Sequence, residues 1–122
     1  MINQIKKLPL ILTMVLLYGC FPIISKNSAN NIKIDEIRIP TAQCNMCVAN
    51  IGNALNGVDG ILKFKVELET DQVKIKYNAD MISLQGIEQL ISKAGYQANN
   101  LPADVDAYNK LAMCCKLPKD RR

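Results

Sequence analysis

Residues 32–101 predict an α+β fold with elements in the order β-α-β-β-α-β. Three observations predict it. Residues 62–68 and 73–77 alternate strictly between apolar and polar side chains, the period-2 pattern of half-buried strands. Residues 48–58 and 84–94 instead carry apolar residues three and four positions apart, one stripe of a helix each. Glycines, Pro40 and short polar runs punctuate these stretches where turns are needed.

The elements follow in order. "IKIDEIRI" at 32–39 has isoleucines at 32, 34, 37 and 39 and reads as a strand. Its phase slips at Asp35-Glu36, which predicts a late start or a bulge. Pro40 ends it, because proline has no N–H for a ladder. A helix is expected over 45–56, with Val48, Ile51, Leu55 and Val58 as its stripe and Gly57 and Gly60 after it. "ILKFKVEL" follows, with Leu62, Phe64, Val66 and Leu68 inward. "ETDQ" turns the chain into a second strand with Val73, Ile75 and Tyr77 inward, making a hairpin. A second helix is expected over 83–93. Ser83 caps it, Leu84, Ile87, Leu90, Ile91 and Ala94 form its apolar face, and Gly95 stops it. "YQANNL" at 96–101 reads as a last edge strand. This order is that of the ferredoxin-like split βαβ unit, with two helices on one face of a four-stranded antiparallel sheet. The lysines between the inward positions then face water.

The two ends differ from this core. Lys6 and Lys7 precede an apolar run at 8–17 that is too short to span a bilayer, as in the core of a secretory signal. The "LYGC" at 17–20 resembles a bacterial lipobox. That resemblance implies a signal peptide over 1–19, cleavage after Gly19 and lipid on Cys20. Residues 20–31, the lipidated Cys and a polar stretch, read as a tether. The protein is therefore expected to be exported to the periplasm or cell envelope and anchored to a membrane through Cys20. At the other end, residues 102–122 form a tail with a short helix expected over 103–113, its stripe Val105, Tyr108 and Ala112, followed by the vicinal pair Cys114-Cys115.

Composition narrows the chemistry. The chain has no His, which removes imidazole as a metal ligand and as a general base, and with it Ser-His-Asp and Cys-His catalysis. A net charge of +4, part of it in the expected leader, comes without an Arg-rich stripe with interleaved aromatics, so no nucleic-acid partner is expected. Cysteine is the reactive residue that remains. If Cys20 carries lipid, four thiols remain, and export would place them in a compartment where disulfides can persist.

Cys44 and Cys47, in "TAQCNMC", fall at the junction of the first strand and first helix. A helix N-terminus presents unpaired N–H groups and a partial positive charge, and both favour thiolate. Two thiolates at this spacing converge on one ion, and soft ligands select soft metals such as copper(I). Two other readings remain. A dithiol of the thioredoxin kind also sits at a strand-to-helix junction, though here a hairpin follows the helix directly. A structural disulfide closing so short a loop stabilises little.

The stretch 32–101 resembles the heavy-metal-associated domain family, which includes copper chaperones, periplasmic mercury-binding proteins and the N-terminal domains of metal pumps. The residues that carry the resemblance are Cys44-x-x-Cys47, "GVDGI" at 57–61 and "KAGY" at 93–96. The resemblance implies that Cys44 and Cys47 bind the metal and that Tyr96 shields it. It also implies a metal-transporting membrane protein or another thiol domain as partner. Where the family commonly reads Gly-Met-Thr before the first cysteine, this chain reads Thr41-Ala42-Gln43. Loss of the large apolar anchor predicts a looser loop.

The expected function is thus non-enzymatic binding and transfer of a soft metal ion, copper(I) ahead of mercury(II) or zinc, with a thiol-disulfide oxidoreductase on the same CxxC as the alternative. Cys114 and Cys115 have several readings. They reach the first site, adding ligands or receiving the ion, or they are a surface or semi-buried tail pair, or they form disulfides under oxidation. Met46 and Met113 are thioether candidates for copper(I), although methionine in an apolar setting usually packs.

Overall fold

The computed structural model describes residues 31–121. The expected signal peptide, the lipidated Cys20 and all of the tether but Asn31 lie outside the described residues. Among these, three strands form one antiparallel sheet in the order β1-β3-β2: β1 (Ile32–Arg38), β2 (Ile61–Glu67) and β3 (Gln72–Asn78). Two helices, α1 (Asn45–Leu55) and α2 (Leu84–Lys93), pack on one face, and a short helix, α3 (Val105–Asn109), opens the tail. No helix among the described residues is long and apolar enough to cross a membrane.

The core lies between sheet and helices. Ile37, Val73, Ile75 and Tyr77 come from the sheet, Ile51 and Leu55 from α1, and Ile87 and Ile91 from α2. All the inward β3 residues are those that the alternation predicts. The phase slip in β1 resolves differently. Its ladder to β3 runs without a break from Ile32 to Arg38, so there is no bulge in this strand. Asp35 and Ile37 lie opposite Ile75 and Val73 and share their face, whereas Ile34 points out to solvent and is 73% exposed. Asp35 is tolerated on the inward face because its Oδ2 accepts from the Tyr77 hydroxyl at 2.7 Å. The irregularity falls in β2 instead. The register shifts between Ile61 and Lys63, so Ile61 faces inward opposite Tyr77 and the expected core residue Leu62 is 55% exposed.

The helices keep their predicted places with one change of register. Ser83 Oγ accepts from the Gly86 N–H at 3.0 Å and caps α2. In α1 the buried stripe is Cys47, Ile51 and Leu55, four residues apart each time, and Val48 is only half-buried. Cys47 thus occupies a core-facing position.

The expected fourth strand at 96–101 is absent as a strand. Ala98 and Leu101 exchange both backbone bonds with each other, at 3.0 and 2.9 Å, and close a tight turn. Asn99 sits at φ +52°, a turn conformation that asparagine tolerates. The Asn99 N–H donates to the Arg38 carbonyl at 2.8 Å, as a paired strand would. The Arg38 N–H, however, is taken by the Asn99 side-chain oxygen at 2.9 Å, so the ladder stops after one rung. Pro102 has no N–H with which to resume it.

The tail folds back on α2. Gly95 ends that helix at φ +99°, where L side chains are strained, and a Cβ there would lie 3.1 Å from Leu111 Cδ1 and 3.2 Å from the Ala107 carbonyl. The absent side chain therefore serves both the turn and the docking of α3. The helix expected over 103–113 is only five residues long, capped by Asp104, whose Oδ1 accepts from Ala107 N–H at 2.8 Å. The expected stripe fails at Val105, which is solvent-exposed; Leu111 packs on the core in its place.

Candidate metal centre

Cys44 is the N-cap of α1, with extended backbone angles and its carbonyl accepting from Val48 N–H at 3.2 Å. Cys47 lies in the first turn, fully buried. Their sulfurs are 3.6 Å apart. The Cys44 side chain makes no cap hydrogen bond of regular geometry, yet the Cys47 and Met46 N–H groups of the first turn act on its sulfur. Chiefly the Cys47 N–H, against the opposing effect of desolvation, lowers the Cys44 thiol to about 7, with help from the Cys47 and Cys114 side chains and the Met46 N–H.

The loop before Cys44 is held by other means than a large apolar anchor. Ala42 is buried and its N–H donates to Ile39 O at 3.1 Å. Thr41 Oγ1 accepts from Gln97 N–H at 3.0 Å, and the Gln43 N–H donates to the Cys47 sulfur at 3.4 Å. These bonds tie the lead-in to the core and to the helix that it precedes.

The tail brings a third sulfur. Cys115 ends a 3-10 turn, Met113–Cys115, and is fully buried. Its Sγ is 3.9 Å from that of Cys44, and the sulfurs of Cys44, Cys47 and Cys115 all lie within 4.8 Å of one another. Burial, reinforced by the Cys47 side chain, pushes the Cys115 thiol up to about 12. Its neighbour Cys114 is not one of the three clustered sulfurs, although its side chain still acts on the Cys44 thiol. The Cys114 sulfur is exposed, 3.9 Å from Met46 Sδ. Of the vicinal pair, one thiol therefore joins the first site and the other lines its rim beside Met46. Met113 is exposed at the head of the turn. All four described cysteines are free thiols.

Tyr96 is fully buried beside these thiols. Desolvation above all raises its hydroxyl, and the nearby Cys47 and Cys115 raise it further, so it stays protonated throughout the physiological range. Asn50 is a residue that sequence reading missed. Its Nδ2 donates to Tyr96 OH at 2.9 Å and lies 3.9 Å from Cys115 Sγ. The available signal was spacing, since Asn50 is three residues after Cys47 and so on the same side of α1. Among the described residues, then, three soft donors face one point, walled by a phenol and an amide.

Residues 36–97 match the model of the heavy-metal-associated domain over half of the chain. The chain belongs to the heavy-metal-associated domain family. The copper chaperone CopZ of Enterococcus hirae is 33% identical to it over 63 residues, covering 52% of this chain and 91% of the relative. The fold of this heavy-metal-associated domain is also that of oxidized MerP from Ralstonia metallidurans CH34. That structure shares 24% identity at a TM-score of 0.53, over 56% of this chain and 94% of that one. The N-terminal domain of a potential copper-translocating P-type ATPase from Bacillus subtilis, solved in its Cu(I)-loaded state, gives the same TM-score of 0.53 and 24% identity. It matches over 56% of this chain and 85% of that one. The family match spans Cys44, Cys47 and Tyr96 and ends before Cys115.

Proposed function

We propose that this protein binds a copper(I) ion through Cys44 and Cys47 and passes it to a partner protein. One observation carries the reading. Two free sulfurs stand 3.6 Å apart at the start of α1 in a heavy-metal-associated domain, and the helix N-terminus lowers the Cys44 thiol towards its thiolate. Soft thiolates favour copper(I), and the relative from Enterococcus hirae is named a copper chaperone. Mercury(II) and zinc are softer-fitting and harder-fitting competitors for the same donors. Transfer proceeds by stepwise thiolate substitution, an incoming partner thiolate replacing one protein sulfur at a time. The half-exposed Cys44 is the sulfur that a partner reaches first, because Cys47 is buried. A metal-transporting membrane protein with its own thiol domain is the partner class. The "LYGC" at 17–20 supports an exported protein held to a membrane by lipid on Cys20.

The test is a titration of the reduced full-length chain with copper(I) against a competing chelator, beside the double substitution Cys44→Ser, Cys47→Ser. The native chain should withdraw one ion from the chelator and the variant none. Equal binding by both would place the site elsewhere. A dithiol oxidoreductase would instead reduce a disulfide substrate and leave the chelator its copper.

A further inference from the structure

We propose that Cys115 is a third ligand, so that the tail converts the two-sulfur loop into a trigonal three-thiolate site. The inference rests on the copper-binding reading above and concerns a residue outside the family match at 36–97.

Geometry carries it. Metal–thiolate bonds are about 2.3 Å long in zinc sites, so a linear sulfur–metal–sulfur unit with such bonds needs sulfurs about 4.6 Å apart. Cys44 and Cys47 are 3.6 Å apart. An ion bonded to both is therefore bent, to about 100° with bonds of that length, and one side of it is left open. Cys115 stands near both sulfurs, 3.9 Å from Cys44 and within 4.8 Å of Cys47. With the third side at that 4.8 Å limit, a point equidistant from all three lies about 2.4 Å from each, close to a metal–thiolate bond. The three sulfurs bracket one ion without rearrangement of the chain.

The position of Cys115 is also built rather than incidental. The Tyr108 hydroxyl donates to Asp120 Oδ2 at 2.6 Å and accepts from Leu117 N–H at 2.8 Å, tying the chain beyond Cys115 to α3. Arg121 closes the same turn by donating to Lys116 O at 2.9 Å and Cys114 O at 3.2 Å. Gly95 lets Leu111 and α3 come close to α2. The result is a latched tail that delivers one buried sulfur to the loop. On binding, each thiol gives its proton to solvent and its sulfur to the ion. On release, Cys115 must leave along with the loop sulfurs, so the tail slows transfer and favours ions that accept three sulfurs.

The experiment uses the full-length reduced chain loaded with one equivalent of copper(I), with sulfur ligands counted by X-ray absorption at the copper edge. The native chain and Cys114→Ser should show three sulfurs and Cys115→Ser two. In chelator competition Cys115→Ser should bind more weakly than the native chain by on the order of 100-fold or more, the low end of the 10²–10⁴ gain that a tethered extra contact brings. Two sulfurs in the native chain overturn the proposal while leaving the CxxC site standing. So does a Cys115→Ser variant with undiminished affinity, or loss of the third sulfur in Cys114→Ser. No copper binding by the native chain overturns both. Should Cys115→Ser fold poorly, the ligand counts of the native chain and Cys114→Ser decide alone.

Discussion

Cys44 and Cys115 are 71 positions apart in the chain, and their sulfurs lie 3.9 Å apart in the fold. The two thiols occupy opposite electrostatic settings. Cys44 caps a helix whose amides favour its thiolate, whereas Cys115 is buried with little to offset the loss of water.

That contrast sets how the metal-free protein reacts. With iodoacetamide, Cys44 should modify with a midpoint near pH 7, because only the thiolate attacks and its thiol is lowered to about 7. Below that pH the rate should fall about tenfold per unit as the thiolate is protonated. Cys115, pushed up to about 12 and buried, should stay unmodified at pH 8 until denaturant is added. Peptide mass mapping after timed alkylation separates the sites. Equal rates at Cys44 and Cys115 in the native chain would contradict the structure.

Gly95 controls whether the tail can dock. In Gly95→Ala the new Cβ meets Leu111 and the Ala107 carbonyl at 3.1–3.2 Å and holds a φ of +99° that L residues resist. The expected cost is about 1–3 kcal/mol, the usual range for a residue forced into sparse backbone space. It is measurable as a lower urea midpoint. Because α3 carries the tail, Cys115 should also become reactive in the native variant. An unchanged midpoint together with a protected Cys115 would show that α3 does not depend on this close approach.

Tyr77 makes stability sensitive to alkali. Burial, followed by its bond to the Asp35 carboxylate, pushes its hydroxyl up to about 12 from an ordinary value near 10. The folded state therefore keeps the proton while the unfolded chain loses it. The stabilisation is whole below pH 10 and disappears as pH rises from 10 to 12. Tyr77→Phe, which lacks the hydroxyl, should lose about 1 kcal/mol at neutral pH with the hydrogen bond. It should then lose less than the native chain between pH 10 and 12. Urea midpoints for both proteins across pH 8–12 test this, and parallel curves would remove Tyr77 as the cause.

Part of this protein was written in residue spacing alone. The alternation of Val73, Ile75 and Tyr77, the stripe of Ile87 and Ile91, the Ser83 cap and the placement of Cys44-x-x-Cys47 at a strand-to-helix junction are local properties. Each depends on neighbours within one or two turns, and the fold keeps them. What spacing could not decide depended on contacts between distant segments. The bulge moved from β1 to β2 because the ladder to β3 sets register across the sheet, and the inward Asp35 is tolerated through Tyr77. The last strand was lost because the Asn99 side chain took the Arg38 amide that a ladder needs. Above all, Cys115 carries no local sign that separates it from Cys114. Only the close approach at Gly95, the Tyr108 latch and burial beside Asn50 and Tyr96 turn one thiol of that pair into the cluster and leave the other on its rim.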